Sequence, residues 1–329
     1  MKIAVVILNW NGKTLLQQFL PSVIKHSQEA DVYLVDNAST DDSVFFVETN
    51  FPSVKIIKNN ENGGYSKGYN DASEHIKADV FCLLNSDVEV TEYWLKPIVE
   101  AFENDGQTAI IQPKLLDYNK KNYFEYAGAA GGFIDKYGYP YCRGRIFNTI
   151  EKDEGQYDDI TEIFWASGAC LFIRTAVFKE LNGLDEQFFA HMEEIDLCWR
   201  AKNLGYKVKY VGSSKIYHVG GATLNNQNPK KTFLNFRNSL FAVTKNAKGP
   251  LFSIILVRLI LDGIAGIKFL FEFKPNHTLA ILKAHFSFYY HFNQMLKQRR
   301  SVKNKIKHYN KTSIVIDYFV NKKNKYKSL

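Results

Sequence analysis

The stretch VFCLLNSDVE, residues 80–89, joins a run of hydrophobic side chains directly to a cluster of polar ones. Residues 80–84 are apolar throughout, which is typical of a strand buried on both faces. Four oxygen-bearing side chains follow: Asn85, Ser86, Asp87 and Glu89. Such groups at the carboxyl end of a buried strand lie where open α/β sheets bind ligands. They suit Mg²⁺ or Mn²⁺ held together with a diphosphate; the alternative is an acidic turn that faces only solvent.

Strands and helices alternate through the first ninety residues. Hydrophobic runs at residues 3–8, 31–35 and 54–57 predict strands, and the segments at 14–26 and about 65–76 have helical apolar spacing. A further helix follows the capping residues near position 40. This alternation predicts a parallel, doubly wound sheet.

Each predicted strand ends in small polar residues: 9–12 (NWNG), 36–39 (DNAS) and 59–64 (NNENGG). Because the carboxyl ends of parallel strands meet at one edge of the sheet, these groups are expected to converge with residues 85–89. The sequence therefore predicts a crevice of nucleotide size at that edge.

The middle of the chain has a weaker pattern. Residues 117–161 are rich in Tyr, Gly and charged residues and predict an irregular segment, a lid or a mobile loop, that carries specificity. An apolar strand follows at 163–174, then a helix at 191–203 and a last strand at 206–211.

The segment HMEEIDLCWR, residues 191–200, places three acids within four positions. On a helix, Glu193, Asp196 and Arg200 share one face, whereas Glu194 turns toward apolar neighbours. Partial desolvation there would raise the pKa of Glu194 toward the range of a general base. The alternative is an acidic first turn in solvent, favoured by the helix dipole.

Two basic residues are further candidates. His218 precedes a flexible turn that contains two glycines and could reach a metal or a phosphate; Arg237 could bind a phosphate through two hydrogen bonds. The alternatives are a structural histidine and a surface arginine. The glycines at residues 63, 64 and 68 lack dinucleotide-binding spacing, and no Walker loop, serine-hydrolase elbow or zinc pattern appears.

Composition and charge bound the cellular setting. A chain of 329 residues with 46% hydrophobic and 23% charged residues has the composition of an ordinary globular protein. The scattered cysteines and the absence of a signal-peptide pattern predict a reduced, cytoplasmic protein. The net charge of +8 is concentrated after residue 290, and a basic tail attracts nucleic acid or anionic lipid.

Residues 251–273 are long enough to cross a bilayer, but four charged residues interrupt them: Arg258, Asp262, Lys268 and Glu272. Charges inside a spanning helix are costly. An interfacial helix pair, with the basic tail on anionic headgroups, is therefore predicted for the inner face of the cell membrane. The alternative is a helix docked on the protein or in an oligomer.

Seven segments together resemble glycosyltransferase family 2, the inverting enzymes of GT-A fold, and within it the bacterial rhamnosyltransferase-like branch. They occur in the family's order over about residues 1–240: VVILNWNG (5–12), VDNASTDDS (35–43), NENGGYSKGYN (60–70), LLNSDVEV (83–90), SGACLFIR (167–174), LDEQFFAHMEEIDLCWR (184–200) and YHVGG (217–221). The resemblance implies an α/β fold with a Rossmann-like, mostly parallel sheet flanked by helices.

The resemblance also implies a domain organisation. Residues 1–240 would form the catalytic domain, with 1–116 binding the nucleotide sugar and 117–240 the acceptor. Residues 241–329 would form a helical, basic C-terminal extension that associates with membrane.

The implied reaction moves a sugar from a dTDP or UDP donor, dTDP-rhamnose among them, to a hydroxyl of a polyprenyl-linked saccharide in bacterial envelope synthesis. Asp36 resembles the acid that contacts base and ribose, and Asp87 takes the metal-binding place of the DXD motif, where Asn85 departs from the pattern. The implied donor-binding residues are Asn9, Asp36, Asn62, Gly63, Gly64, Asn70, Ser86, Asp87 and Arg237. The implied ligands of Mg²⁺ or Mn²⁺ are Asp87, Glu89 and His218.

In this family the second acid of a Glu-Asp pair is the base, and Glu194 occupies that place, with Glu193 as the second choice. Nucleic acid is not expected as a partner. A sugar-1-phosphate nucleotidyltransferase would need a Gly-rich, Arg-containing loop after the first strand, which residues 9–12 do not provide. A non-catalytic saccharide-binding module would not need acids at Asp36, Asp87 and Glu194.

Overall fold

The computed structural model describes residues 1–220, 228–302 and 304–329. The strands in this part of the chain are β1 (Ile3–Asn9), β2 (Asp31–Asp36), β3 (Lys55–Lys58), β4 (Val80–Asn85), β5 (Val88–Val90), β6 (Thr108–Asp117), β7 (Gly132–Ile134), β8 (Pro140–Cys142), β9 (Arg145–Ile146), β10 (Thr149–Ile150), β11 (Ile160–Glu162), β12 (Cys170–Arg174) and β13 (Lys207–His218). The α-helices are α1 (Lys13–His26), α2 (Ser43–Asn50), α3 (Gly64–Ser73), α4 (Lys96–Glu103), α5 (Thr175–Glu180), α6 (Glu193–Asn203), α7 (Pro229–Asn246), α8 (Leu251–Phe271), α9 (Pro275–Ser301) and α10 (Ile314–Phe319).

The central sheet has the strand order β11-β13-β6-β12-β4-β1-β2-β3, and β5 pairs with β13. Strands β1 to β4 pair with one another in parallel, as the alternating pattern predicts. β12 lies antiparallel between β4 and β6, and β13 runs parallel to β6. The predicted α/β fold with a mostly parallel sheet is thus confirmed.

β1 and β4 are apolar along most of their length because both faces of the sheet are covered, whereas β6 also buries Gln112 and Lys114. In β4, Phe81 and Leu83 belong to one hydrophobic cluster, which includes residues of α3 and α6. Cys82 and Leu84 belong to the cluster on the other face, which includes residues of α1 and α4. The strand therefore ends in the crevice with its apolar part fully enclosed.

Residues 117–161 are not the irregular lid that the sequence predicts. β7 to β10 form a second, antiparallel sheet of four short strands. Phe124, Cys142 and Ile146 are fully buried in this region. Strands of two or three residues are too short to show a period in the sequence, which is why the expectation was wrong.

The C-terminal extension is helical, as predicted. α7 runs across position 240, and α8 and α9 are joined by the three residues 272–274 and pack against each other. The tail then returns to the small sheet, where Ile314 is fully buried beside Tyr141 and Ile146. Across the described ranges, no helix combines the length and the apolar character needed to cross a membrane.

Candidate functional site

Asn9 and Asp36 occupy neighbouring positions at the carboxyl ends of β1 and β2. The Asn9 Nδ2 group donates to Asp36 Oδ1 at 2.9 Å and to Ser43 Oγ at 2.8 Å, and the Ser39 amide donates to Asp36 Oδ2 at 3.0 Å. Both side chains are almost completely buried, at 1% and 4% exposure. These side chains therefore bond to each other and to residues that follow β2.

The glycine turn after β3 is built for close backbone approach. Asn62 Oδ1 accepts from the Gly64 amide at 3.0 Å, and Asn37 Nδ2 donates to the Gly64 carbonyl at 3.0 Å. Gly64 has φ of +79°, and a Cβ there would lie 2.7 Å from the Phe189 carbonyl oxygen. Only glycine fits this position, and the turn including Gly63 lies against the segment that precedes α6.

Asn70 lies further along α3, the helix that begins in that turn, and has another set of contacts. Its amide donates to the Leu184 carbonyl at 2.8 Å and accepts from the Leu184 amide at 2.9 Å. These bonds occupy the side chain of Asn70, which anchors the loop at 184 to α3.

Asp87 and His218, predicted metal ligands, are in contact. His218 Nε2 lies 3.1 Å from Asp87 Oδ1, and His218 Nδ1 lies 3.4 Å from Glu125 Oε1. All three side chains are buried. Burial alone would lower the pKa of His218, but Glu125 and Asp87 together raise it to about 10. Burial opposes ionisation of Asp87 too, yet the contact with His218 holds the pKa of Asp87 below its ordinary value.

Glu125 was not singled out in the sequence, since it lies among aromatic and small residues and its partner is distant in the chain. A Cβ at Gly220 (φ +71°) would lie 2.8 Å from Glu125 Oε1, so the backbone after His218 fits tightly over this carboxylate. The result is a carboxylate–histidine–carboxylate row at the end of β13.

Glu89 and Ser86 lie on either side of Asp87. Glu89 faces Lys121, whose Nζ lies 2.5 Å from Glu89 Oε1, rather than Asp87 and His218. A Cβ at Gly12 would lie 4.0 Å from Ser86 Oγ, which puts Ser86 at the mouth of the β1 loop. Within the residues described, no group of three or more His, Cys, Asp and Glu side chains is arranged to hold a metal ion.

Two of the three predicted ligands nevertheless fit a divalent cation. Asp87 Oδ1 and His218 Nε2 lie 3.1 Å apart, so that both atoms would contact one ion bound there. Carboxylate oxygen and imidazole nitrogen are both accepted by Mn²⁺, and Mg²⁺ prefers the oxygen. An ion at this position would displace the proton that His218 otherwise carries.

Glu193 and Glu194 open α6 after a backbone segment in left-handed conformation. Phe189, His191 and Met192 have φ of 62°, 69° and 72°, although none is glycine. Such geometry is costly and occurs chiefly where function demands it. It turns the first residues of α6 inward.

The two acids have different electrostatic surroundings. Burial raises the pKa of Glu194 to about 7. Glu193 is buried more completely, and burial together with its neighbour Glu194 raises the pKa of Glu193 well above the ordinary value. Burial thus raises the pKa of both acids, and that of Glu194 lies in the range where a carboxylate can act as a base near neutral pH.

The acid pair lies close to the end of β4. A Cβ at Gly168 would lie 3.9 Å from Glu194 Cβ, and the Tyr65 hydroxyl donates to the Gly168 carbonyl at 2.7 Å. The next residue, Ala169, accepts a hydrogen bond from the Asn85 amide at 3.0 Å. The fold thus brings the predicted base close to β4, which ends two residues before Asp87.

Arg237 and its neighbour Asn238 hold the left-handed segment. Arg237 Nη2 donates to the carbonyls of Gln187 and Phe188 at 3.1 and 3.3 Å. The amide nitrogen of the fully buried Asn238 lies 2.9, 2.9 and 2.7 Å from the carbonyl oxygens of Phe188, Ala190 and His191. Arg237 therefore contacts backbone here. Asn238, which the sequence pattern does not single out, holds the backbone that leads to Glu193.

Comparison with known proteins places the chain among glycosyltransferases. The model of the family "Glycosyl transferase family 2" matches residues 4–181. An N-acetylglucosaminyl-diphospho-decaprenol L-rhamnosyltransferase of Mycobacterium tuberculosis is 25% identical over 230 residues, 65% of this chain and 75% of that protein. The low-salt glycan biosynthesis hexosyltransferase Agl10 of Haloferax volcanii is 22% identical over 255 residues, 73% of this chain and 75% of that protein.

Solved structures share the fold. S. aureus TarS 1–349 in complex with UDP superposes with a TM-score of 0.54 at 16% identity, covering 92% of this chain and 90% of that one. GalNAc-T7 with UDP, GalNAc and Mn²⁺ superposes with a TM-score of 0.58 at 17% identity, covering 74% of this chain and 48% of that one. These likenesses confirm the predicted GT-A fold.

Proposed function

This chain belongs to glycosyl transferase family 2, and from that premise we propose that it transfers a sugar from a nucleoside-diphosphate donor to a saccharide hydroxyl, with inversion at the anomeric carbon. The observation that carries the proposal is the position of Glu194, with its pKa of about 7, beside the end of β4. A base there would face the strand end that carries Asp87.

The donor would bind across the carboxyl edge of the sheet. Asn9 and Asp36 would shape the end that receives base and ribose, and the backbone of the 62–64 turn would approach the nucleotide. dTDP-rhamnose and UDP-sugars are the donors to test, because the mycobacterial relative is named as an L-rhamnosyltransferase and the TarS structure contains UDP.

A divalent cation would be held by Asp87 and His218, with Ser86 nearby. When bound, such an ion would neutralise the charge that builds up on the leaving diphosphate. Glu89 would join only by leaving Lys121. Glu125, on the other side of the ring at Nδ1, would orient His218 toward the ion.

Glu194 would act as general base. Its carboxylate takes the proton of the acceptor hydroxyl as that oxygen bonds to the anomeric carbon and the bond from carbon to the diphosphate oxygen breaks. Because the acceptor oxygen would attack the face opposite the leaving diphosphate, a single displacement inverts the configuration. Glu193 lies beside this base in the chain, and burial together with Glu194 raises the pKa of Glu193 well above its ordinary value.

The acceptor we propose is a polyprenyl-linked saccharide of bacterial envelope polysaccharide synthesis, met at the inner face of the membrane. Support comes from the decaprenol-linked acceptor named for the mycobacterial relative. The chain would work there as a peripheral protein.

The test is a panel of dTDP- and UDP-sugars incubated with the full chain, Mg²⁺ or Mn²⁺ and a polyprenyl-diphosphate saccharide. We expect release of nucleoside diphosphate and a product one sugar longer, of inverted configuration by NMR. The Glu194→Gln variant should bind the donor without turning it over. Retained anomeric configuration, or equal release by Glu194→Gln, would contradict the proposal.

A further inference from the structure

The helix α8 has the reverse of the usual amphipathic arrangement. Its outward face carries large apolar side chains along the whole length of the helix: Phe252, Leu256, Ile260, Ile264, Ile267, Leu270 and Phe271. We call these seven residues the α8 apolar face. At 100° per residue they fall within about a third of the helix circumference. No charged residue of α8 falls within that third. Soluble proteins rarely expose so continuous a patch without a partner for it.

Two charged residues of α8, Arg258 and Asp262, point into the protein beside the buried Ile254 and Ile255. Arg258 Nε donates to Asp262 Oδ1 at 2.7 Å, and Arg258 Nη1 donates to Ser239 Oγ at 2.6 Å. The Tyr139 hydroxyl donates to Asp262 at 2.6 Å, and His285 lies 3.3 Å from the same carboxylate. Because breaking this buried network would strand charges, α8 cannot rotate its apolar face inward.

The neighbouring helix continues the surface. α9 exposes Leu279, Leu282, Phe286, Tyr289 and Tyr290. Exposed lysines flank the apolar side chains at residues 268, 274, 283 and 297, and the first two form ion pairs with Glu272. Residues 251–301 contain seven Lys and Arg but two Asp and Glu, and Asp262 is buried.

Charge decides between the two partners that could cover such a face. A second copy of this chain would bring its own lysines against these, and like charges would repel across the interface. A bilayer with anionic headgroups would take the apolar side chains into the acyl boundary and attract the lysines at the same time.

We propose that α8 and α9 lie flat on an anionic membrane, with the α8 apolar face inserted into one leaflet. This placement rests on the proposed function, because the membrane would be the surface that carries the acceptor. The helix hairpin, rather than the C-terminal tail, is the contact, since residues 311–329 return to the small sheet.

The experiment is flotation of the full chain with vesicles of phosphatidylglycerol and phosphatidylcholine in equal parts, and with phosphatidylcholine alone. We expect binding to the mixed vesicles that weakens at high salt and is at least tenfold poorer on phosphatidylcholine. The Ile260→Glu/Ile267→Glu double variant should lose binding more than tenfold. Phe45→Glu, which changes an exposed aromatic residue on α2, is the matched control and should bind as the unchanged chain does.

Circular dichroism checks folding, and an Ile260→Ser/Ile267→Ser pair replaces the charged variant if that variant unfolds. Unchanged vesicle binding by a folded double variant would overturn the inference. The inference would also be overturned if the unchanged chain forms a dimer in sedimentation that the same substitutions dissociate, and does not bind vesicles. Donor turnover on a soluble acceptor is measured separately. If the unchanged chain binds vesicles but does not turn over the donor, the proposed function is contradicted and the membrane contact stands.

Discussion

Replacing Glu194 by glutamine removes one carboxylate while keeping its shape, and it should affect activity and stability in opposite directions. Burial raises the pKa of Glu194 to about 7. If this carboxylate is the base, turnover in the unchanged chain should follow its ionised fraction, which rises from roughly 10% at pH 6 to roughly 90% at pH 8. The rate would thus rise about tenfold over that range. Glu194→Gln should lower it by about 10²- to 10⁴-fold and flatten the profile.

The stability effect follows from linkage. The folded-state pKa of Glu194 lies above its ordinary value of 4.5, so the folded protein holds this proton more tightly than the unfolded chain does. Stability is therefore lost as pH rises from about 4.5 to 7, and ionised Glu194 costs about 3 kcal/mol at pH 8 and below about 1 kcal/mol at pH 5. Glu194→Gln should recover most of that cost at pH 8 and little at pH 5.

Urea denaturation at both pH values measures the gain in unfolding free energy, and nucleoside-diphosphate release from pH 5.5 to 8.5 measures the rate. Glu103→Gln, an exposed change on α4, is the control and should alter neither. A Glu194→Gln protein with near-normal turnover would refute the role of base. A gain in stability equal at pH 5 and pH 8 would refute the raised pKa.

Three other substitutions test separate parts of the structure. Asp87→Ala should reduce transfer at least 100-fold and abolish the rise in melting temperature that Mn²⁺ with nucleoside diphosphate gives the unchanged chain; a persisting rise would show that the ion binds elsewhere. Asn238→Ala removes the side-chain amide that contacts the carbonyls of Phe188, Ala190 and His191, so kcat should fall about 10- to 100-fold with donor KM nearly unchanged, as steady-state kinetics would reveal. An equal loss in KM would instead indicate a donor contact. Arg258→Met leaves Asp262 as an uncompensated buried charge and should lower the unfolding free energy by about 3–5 kcal/mol, measured in urea; a change below about 1 kcal/mol would mean that the network does not fix α8.

The nucleotide half of the fold could be predicted because its signals are local. In β1 and β4 an apolar run ends in polar residues, and the parallel pairing of such strands brings Asn9, Asp36 and Asn85 to one edge. The short strands β7 to β10 carry no such signal, since two or three residues cannot display a period.

Residues that act through distant partners were harder to find. Glu125 matters because it contacts His218. The residues next to Glu125 in the sequence do not indicate that contact. Arg237 was expected at a phosphate but contacts the backbone at Gln187 and Phe188, because α7 packs against the segment before α6. Glu89 was expected with Asp87 and forms an ion pair with Lys121 instead.

The antiparallel strand β12 ties the two predicted halves of the catalytic domain into one body. From one side inward, the sheet runs β13, β6, β12 and β4, so strands from residues 117–240 alternate with strands from residues 1–116. Opening the crevice by swinging one half away would break the backbone ladders of β12 with both neighbours. Substrates must therefore enter and products leave along the sheet edge through shifts of the connecting loops, and a fragment ending at 116 would lack the strands needed to close its own sheet.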